Sequence, residues 1–280
     1  MPATLDSIMA ATRRRVTRAK AEADVRQLER EAAQHAPRGF GKQLRQGATT
    51  GIAVIAELKK ASPSRGTIRA DFNAAELAAE LQSAGASALS VLTDEEFFQG
   101  SLENLRLASA HTSVPCLRKD FMVDEFQLLE SRASCADAVL LIVAALEDPE
   151  LRRLYDGARR MGLDVLCEVH DEAEVQRAIA AECEIIGVNS RNLRTFDVDL
   201  QTPLRLASRL PAEVLAVAES GIHSANEVRE LRAAGYQAFL VGESLMKAPR
   251  PGEALRELLA QAQGPSTRPP SHPLSRVRSG

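Results

Sequence analysis

The stretch "IAVIAELKKASPSRG", Ile52 to Gly66, decides the fold class. It opens as an apolar run suited to a buried strand, then changes character. Residues two apart in a strand face the same way, so Ile55, Glu57 and Lys59 share one side while Ala56 and Leu58 share the other. A carboxylate and an ammonium on the inner face of a buried strand are costly unless each meets a partner or a ligand. The Ser-Pro-Ser-Arg-Gly that follows is turn material, so the charged pair stands where the strand ends, on what reads as the rim of an active site.

Seven further apolar runs follow the first: "ALSVLT" from Ala88, "VPCLRK" from Val114, "AVLLIVA" from Ala138, "DVLCEV" from Asp164, "EIIGVN" from Glu184, "VLAVAES" from Val214 and "AFLVGES" from Ala238. Their starts lie about 27 residues apart on average, the length of a strand, a helix and two short loops. Helical patterns fill the intervals. "NAAELAAELQSAG" from Asn73 carries Leu77 and Leu81 at helical spacing and closes at Gly85. "SANEVRELRAAG" from Ser224 pairs a Ser N-cap with Glu227 and closes at Gly235. Eight such units predict a (β/α)₈ barrel. A doubly wound sheet is the alternative, but it generally has fewer strands and a Gly-rich first turn, and no G-x-G-x-x-G occurs.

The expected organisation is an N-terminal helical extension over residues 1–50, a barrel over 51–262 and a disordered Pro/Ser/Arg tail over 263–280. Arg13-Arg14-Arg15 reads as a solvated helix face balanced by Glu22, Asp24, Glu29 and Glu31 rather than as a nucleic-acid contact. A net charge of −3 over 280 residues argues against nucleic acid as well. Four scattered cysteines without a Cys-x-x-Cys pair fit reduced thiols. No apolar run spans a membrane and no signal-peptide core is present, so a cytoplasmic protein is expected.

In such a barrel catalytic groups project from the C-terminal ends of the strands, and the loops after the last two strands often hold a phosphate. Those ends carry Glu57 and Lys59, then Thr93, Lys119, Glu168, Asn189, Glu219 with Ser220, and Gly242. "ESGIHS" and "VGESLMK" place small residues where backbone N–H groups can approach an anion. Phe97, Phe98 and Phe121 are candidate walls for an aromatic substrate or plain core residues. The five histidines show no metal spacing, Glu168 and His170 being only a weak ligand pair, and the site as read needs neither metal nor cofactor.

"IAELKKASPSRG", "LTDEEFFQGS", "LRKDF", "CEVH", "GVNSRNL", "AESGI" and "LVGESLMK", in that order from Ile52 to Pro249, resemble the indole-3-glycerol phosphate synthase family. The resemblance implies a phosphorylated small-molecule substrate and ring closure of 1-(2-carboxyphenylamino)-1-deoxyribulose 5-phosphate. It implies Lys119 as general acid at the C2 carbonyl, Glu168 as second acid/base group, Glu57 near the reacting centre, and Lys59 as a rival acid for the dehydration. It assigns Lys59 and Asn189 to the anthranilate carboxylate, Arg191 to bracing that corner, and Ser62 and Phe98 to loops that close over the substrate, with Glu219 also lining the site. Ser220, Gly221, Gly242 and Glu243 match a phosphate cradle acting through backbone N–H, with the Glu243 carboxylate expected to point away.

A lysine acid works best with its pKa lowered toward neutrality, a shift that Glu57 opposes. Two other functions remain open at this level: a class I aldolase with Lys119 as Schiff-base lysine, and a catalytically silent binding scaffold. A monomer or weak homodimer without nucleic-acid or membrane partners is expected.

Overall fold

A computed structural model describes residues 4–192 and 197–264, so all but the start of the expected tail lies outside the described residues. Eight parallel strands close into a barrel. They are β1 (Ala53–Leu58), β2 (Ala88–Leu92), β3 (Cys116–Lys119), β4 (Ala138–Ile142), β5 (Asp164–Val169), β6 (Ile185–Asn189), β7 (Leu215–Glu219) and β8 (Ala238–Val241). Ile55 stands opposite Ala88 of β2 on one side and Leu240 of β8 on the other, which joins the last strand to the first. The alternation read from the opening stretch holds. Ala53 and Ile55 point into the barrel with Leu117, Leu140, Leu166, Val217 and Leu240, whereas Val54, Ala56 and Leu58 pack outward beneath the helices. Both faces are apolar, as a barrel sheathed by helices requires.

The sheath begins with α4 (Ala74–Ser83), α5 (Glu95–Phe98), α6 (Leu102–Ala110), α7 (Glu125–Ala133) and α8 (Asp148–Arg160). It continues with α9 (Glu172–Ala180), α10 (Gln201–Leu206), α11 (Ala225–Ala234), α12 (Glu243–Lys247) and α13 (Pro251–Gln263). The capping signals behave as their chemistry predicts. The Asn73 side chain accepts the N–H groups of Ala75 and Glu76, Ser224 and Glu227 form a reciprocal box, and Gly235 ends α11 at φ +118°. No helix among the described residues is long and apolar enough to cross a membrane.

Three N-terminal helices brace the barrel at both ends: α1 (Leu5–Glu22), α2 (Val25–Gln34) and α3 (Phe40–Thr50). Phe40 and Leu44 of α3 are fully buried and belong to the barrel's interior cluster, plugging the N-terminal end. Gly41 allows that approach, since a Cβ there would meet Ile185 at 3.0 Å. Met9 and Val16 of α1 pack instead on Val123 and Phe126, in the segment after β3 at the opposite end. Between α2 and α3 the chain is tied down by Asp137, whose side chain is fully buried ahead of β4. Its carboxylate takes the Arg38 guanidinium at 2.6 and 2.9 Å, the Arg38 N–H at 2.7 Å, His35 Nε2 at 3.1 Å and the Cys116 N–H at 2.6 Å.

Replacing Asp137 by Ala strips a buried guanidinium and a strand N–H of their acceptor. Urea unfolding is expected to register a loss of about 3–5 kcal/mol. Burial pushes the Asp137 pKa up, but His35 and Arg38 hold it below the usual carboxylate range. Its contribution is therefore present above about pH 4 and lost as the pH falls further, so wild type and variant should converge in acid.

Candidate active site

The C-terminal ends of the strands surround a cavity of about 510 Å³ floored by Leu140, Ile142 and Leu240. Thirteen of the residues singled out in the sequence line it: Glu57, Lys59, Ser62, Phe98, Lys119, Glu168, Asn189, Arg191, Glu219, Ser220, Gly221, Gly242 and Glu243. Two expected rim residues do not. Thr93 is buried behind the wall, its hydroxyl donating to Asp120 at 2.7 Å and accepting from Arg118 at 3.1 Å. Phe97 is also absent from the lining, while Phe98 and Phe121 form a tilted pair with centroids 6.3 Å apart.

At the centre, Lys119 Nζ lies 2.7 Å from Glu168 Oε2 and 2.7 Å from Glu219 Oε2. Burial alone would push the Lys119 pKa down. Glu168, Glu219 and Glu57 together more than reverse that, so it stands above the ordinary lysine value. The lowered value a lysine acid would favour is thus not found, because three carboxylates converge on one ammonium. The two glutamates differ. Burial raises both, yet Lys119 and His170 together hold Glu168 below its usual range, while Glu219 is pushed up to about 7. Glu219 Oε1 is buried without a hydrogen-bond partner, which suits a carboxyl that takes up a proton near neutrality. On β1, Lys59 Nζ donates to Glu57 Oε1, forming a second lysine–glutamate pair on the same wall.

Glycines make room for these acids. A Cβ on Gly187 of β6 would collide with the Glu219 carboxylate, and one on Gly242 with that of Glu57. Ser220 and Gly221 follow β7 at φ +65° and +74°. Ser220 is the one non-glycine residue among the described cavity residues in that left-handed region, so its loop conformation is imposed by the surroundings. Asn189 Oδ1 accepts the Arg191 N–H at 2.9 Å, leaving the side-chain NH₂ as the donor available to the cavity.

Glu243 corrects one expectation. Its carboxylate lies on the cavity wall, 2.6 Å from Lys247, 3.4 Å from Arg65 and 3.5 Å from Arg191. Three cations meeting at that corner draw it inward, and they outnumber the one carboxylate they share. Arg65 and Lys247 were not singled out in the sequence, because each sits on a turn or short helix where a solvated role is equally natural.

The mouth contains a further feature that sequence spacing concealed. Leu5 and Ile8 of α1 reach the cavity. Arg15 of the same helix lies 2.8 Å from Asp120 and 3.5 Å from Asp94, and Asp120 also takes Arg118 at 3.0 Å. The Arg13–Arg15 run is therefore only partly a solvated face: the partners of Arg15 sit on the barrel rather than on its own helix. Lys119 stands between Arg118 and Asp120, so this buried ion network fixes the strand end that carries it.

Residues 5–258 match the family model described as indole-3-glycerol phosphate synthase. A protein of that name from Koribacter versatilis is 56% identical over 259 residues, covering 92% of this chain and 100% of the relative. One from Variovorax paradoxus is 47% identical over 264 residues, covering 92% and 99%. Among solved structures, a thiamine phosphate pyrophosphorylase from Pyrococcus furiosus superposes with TM-score 0.58 at 17% identity, covering 77% of this chain and 96% of that one. An orotidine 5'-phosphate decarboxylase from Pyrococcus horikoshii gives TM-score 0.58 at 13% identity, covering 75% and 99%. These two likenesses speak for the barrel alone.

Gly187→Ala tests how closely the acids are packed. The added methyl must displace Glu219 from Lys119, so catalytic turnover should drop at least about tenfold while the melting temperature moves by only a few degrees. Turnover equal to wild type would show that Glu219 relocates without consequence.

Proposed function

The chain belongs to the indole-3-glycerol phosphate synthase family, and on that premise we propose how its rim residues share the reaction. It is a carbon–carbon lyase of tryptophan biosynthesis, converting 1-(2-carboxyphenylamino)-1-deoxyribulose 5-phosphate into indole-3-glycerol phosphate, carbon dioxide and water. The observation that carries the assignment of roles is the buried Lys119 ammonium held between two carboxylates at the centre of the cavity.

Lys119 protonates the C2 carbonyl oxygen, which makes C2 electrophilic toward the aromatic carbon that bears the carboxylate. The carbon–carbon bond forms, and carbon dioxide leaves its bond electrons in the ring. The C2 hydroxyl then departs as water with a second proton, and a carboxylate removes the proton whose loss restores aromaticity. Glu168, held ionised, is suited to that last step. Lys59 and the Asn189 amide serve the substrate carboxylate, one by charge and the other by a directed N–H, and Lys59 stands by as acid for the dehydration. Glu57 fixes Lys59, and Arg191 braces Asn189.

The phosphate belongs in the corner of Arg65, Arg191 and Lys247, against backbone N–H groups of Ser220, Gly221, Gly242 and Glu243. There it would compete with the Glu243 carboxylate for the same cations. Leu5, Ile8, Phe98 and Phe121 supply apolar walls for the anthranilate ring, and Ser62 lies on the loop that covers it. A multiply anionic substrate that does not cross membranes unaided supports a cytoplasmic place of action.

The aldolase reading loses ground to a specific observation. A Schiff base requires the neutral amine, and the carboxylates around Lys119 hold it protonated.

Turnover is followed by the rise of indole fluorescence, against a low background because the chain contains no tryptophan. Wild type should show the rise and Lys119→Ala should lose at least about a hundredfold in kcat. A full rise in the variant would move the first proton to Lys59, and no rise in folded wild type would overturn the assignment of activity. A second test uses pH. Below about 7 Glu219 is protonated and neutral; above it, the cavity gains a negative charge that opposes the anionic substrate and holds the Lys119 proton more tightly. The value of kcat/KM should therefore fall as the pH rises through about 7, and Glu219→Gln should abolish that particular ionisation.

A further inference from the structure

Behind Glu168, outside the cavity lining, His170 occupies the space between two carboxylates. Its Nδ1 hydrogen-bonds Glu174 Oε2 on α9 at 2.9 Å, and its Nε2, buried without a hydrogen bond, lies at the ion-pair distance of 3.4 Å from Glu168 Oε1. Glu174 is itself held in place: Oε2 accepts the His170 backbone N–H at 2.8 Å, and its own N–H donates to Asp171 at 2.9 Å. The ring is largely enclosed, with 13% of its side chain exposed. A neutral imidazole has one N–H, so it would donate to one of these carboxylates and turn a lone pair toward the other. Only an imidazolium complements both.

The charged groups around the ring are Glu168 on β5 and Glu174 on α9, with Lys119 and Glu219 beyond Glu168. Arg177, the basic residue of α9, is turned away toward Asp148 and the carbonyls of Val143 and Leu146.

We infer that His170 is a positioning residue for the synthase reaction: as an imidazolium it is the second cation on Glu168, keeping that carboxylate ionised and oriented while Lys119 gives up its proton. The inference rests on the roles proposed above for Lys119 and Glu168. Lys119 lies equally far from Glu168 and Glu219, at 2.7 Å, yet the two acids titrate in opposite directions. The histidine on the Glu168 side supplies the asymmetry. Once the Lys119 ammonium has passed its proton to the substrate, a buried carboxylate with no other cation would be driven to take a proton back. With the His170 cation beside its far oxygen, Glu168 stays a base for the closing step. Burial lowers the His170 pKa, but Glu168 and Glu174 carry it up to about 10, in keeping with the geometry.

The test has two readouts. In full-length protein labelled with ¹⁵N-histidine and assigned against His170→Gln, both ring nitrogens of His170 should remain protonated from pH 6 to about 9, where an unperturbed histidine has titrated near 6.5. In turnover, the acid limb of the kcat–pH profile should move up by about one unit in His170→Gln, a tenfold loss on its low-pH side, with KM within about twofold. Glu174→Gln, which keeps the imidazole but removes one of the two carboxylates that hold it charged, should shift the limb the same way, which keeps the test open should His170→Gln fold poorly. His170→Lys, which retains a cation, should recover part of the shift. A neutral ring in active wild type, or an unmoved limb in the folded variants, overturns the role of His170. Absence of turnover in wild type overturns the synthase reading and the role with it, and the ring-nitrogen signals tell the two failures apart.

Discussion

One ammonium shared by two buried carboxylates is the constraint on which the catalytic centre depends. Lys119, Glu168 and Glu219 arrive from β3, β5 and β7, and no two of them are close in sequence. Burying these groups in an apolar barrel is tolerable because Lys119 and Glu168 neutralise each other while Glu219 takes up a proton near neutrality, and removing either charged member leaves the other uncompensated. The same arrangement sets the chemistry. It keeps Lys119 protonated, as the proposed acid must be and an amine nucleophile cannot be, and it leaves one carboxyl to titrate near neutrality.

Holding that centre requires space and stiffness in equal measure. Space comes from glycines: Gly187 stands where Glu219 must lie and Gly242 where Glu57 must lie. Stiffness comes from the N-terminal helices, which treat the two ends of the barrel differently. At the floor α3 inserts Phe40 and Leu44 as an apolar plug. At the mouth α1 offers Leu5 and Ile8 to the cavity and sends Arg15 into the ion network that flanks Lys119. A helix that both walls the site and pins a catalytic strand couples substrate enclosure to the placement of the acid.

Much of this is legible in the order of residues alone. The period of apolar runs specified eight strand–helix units, and the change from apolar to charged at each strand's end marked the rim. Glu57 and Lys59 face inward as the two-residue period of a strand demands. Thr93 fails because register, not nearness to the strand end, decides the facing: Ala88 and Leu92 point inward, so the two-residue period turns Thr93 outward with Leu89 and Val91, and its hydroxyl serves Asp120 and Arg118 rather than the cavity. Glu243 departs from expectation for a different reason: anion-binding logic expels a carboxylate, but Arg65 and Arg191 from other segments join Lys247, one turn along the same helix, and reverse the local field.

The sequence by itself determined the fold class and most of the rim, because periodicity and strand-end chemistry are local properties written in the order of residues, and its motifs carried the resemblance to the family. Only the tertiary structure decided which charges meet. That Lys119 has two acids rather than one, that Arg15 answers to the barrel and that His170 stands behind Glu168 all follow from closure of the sheet and the packing of helices around it. Charge pairing depends on distances of a few ångströms across segments far apart in the chain, and no one-dimensional period encodes them.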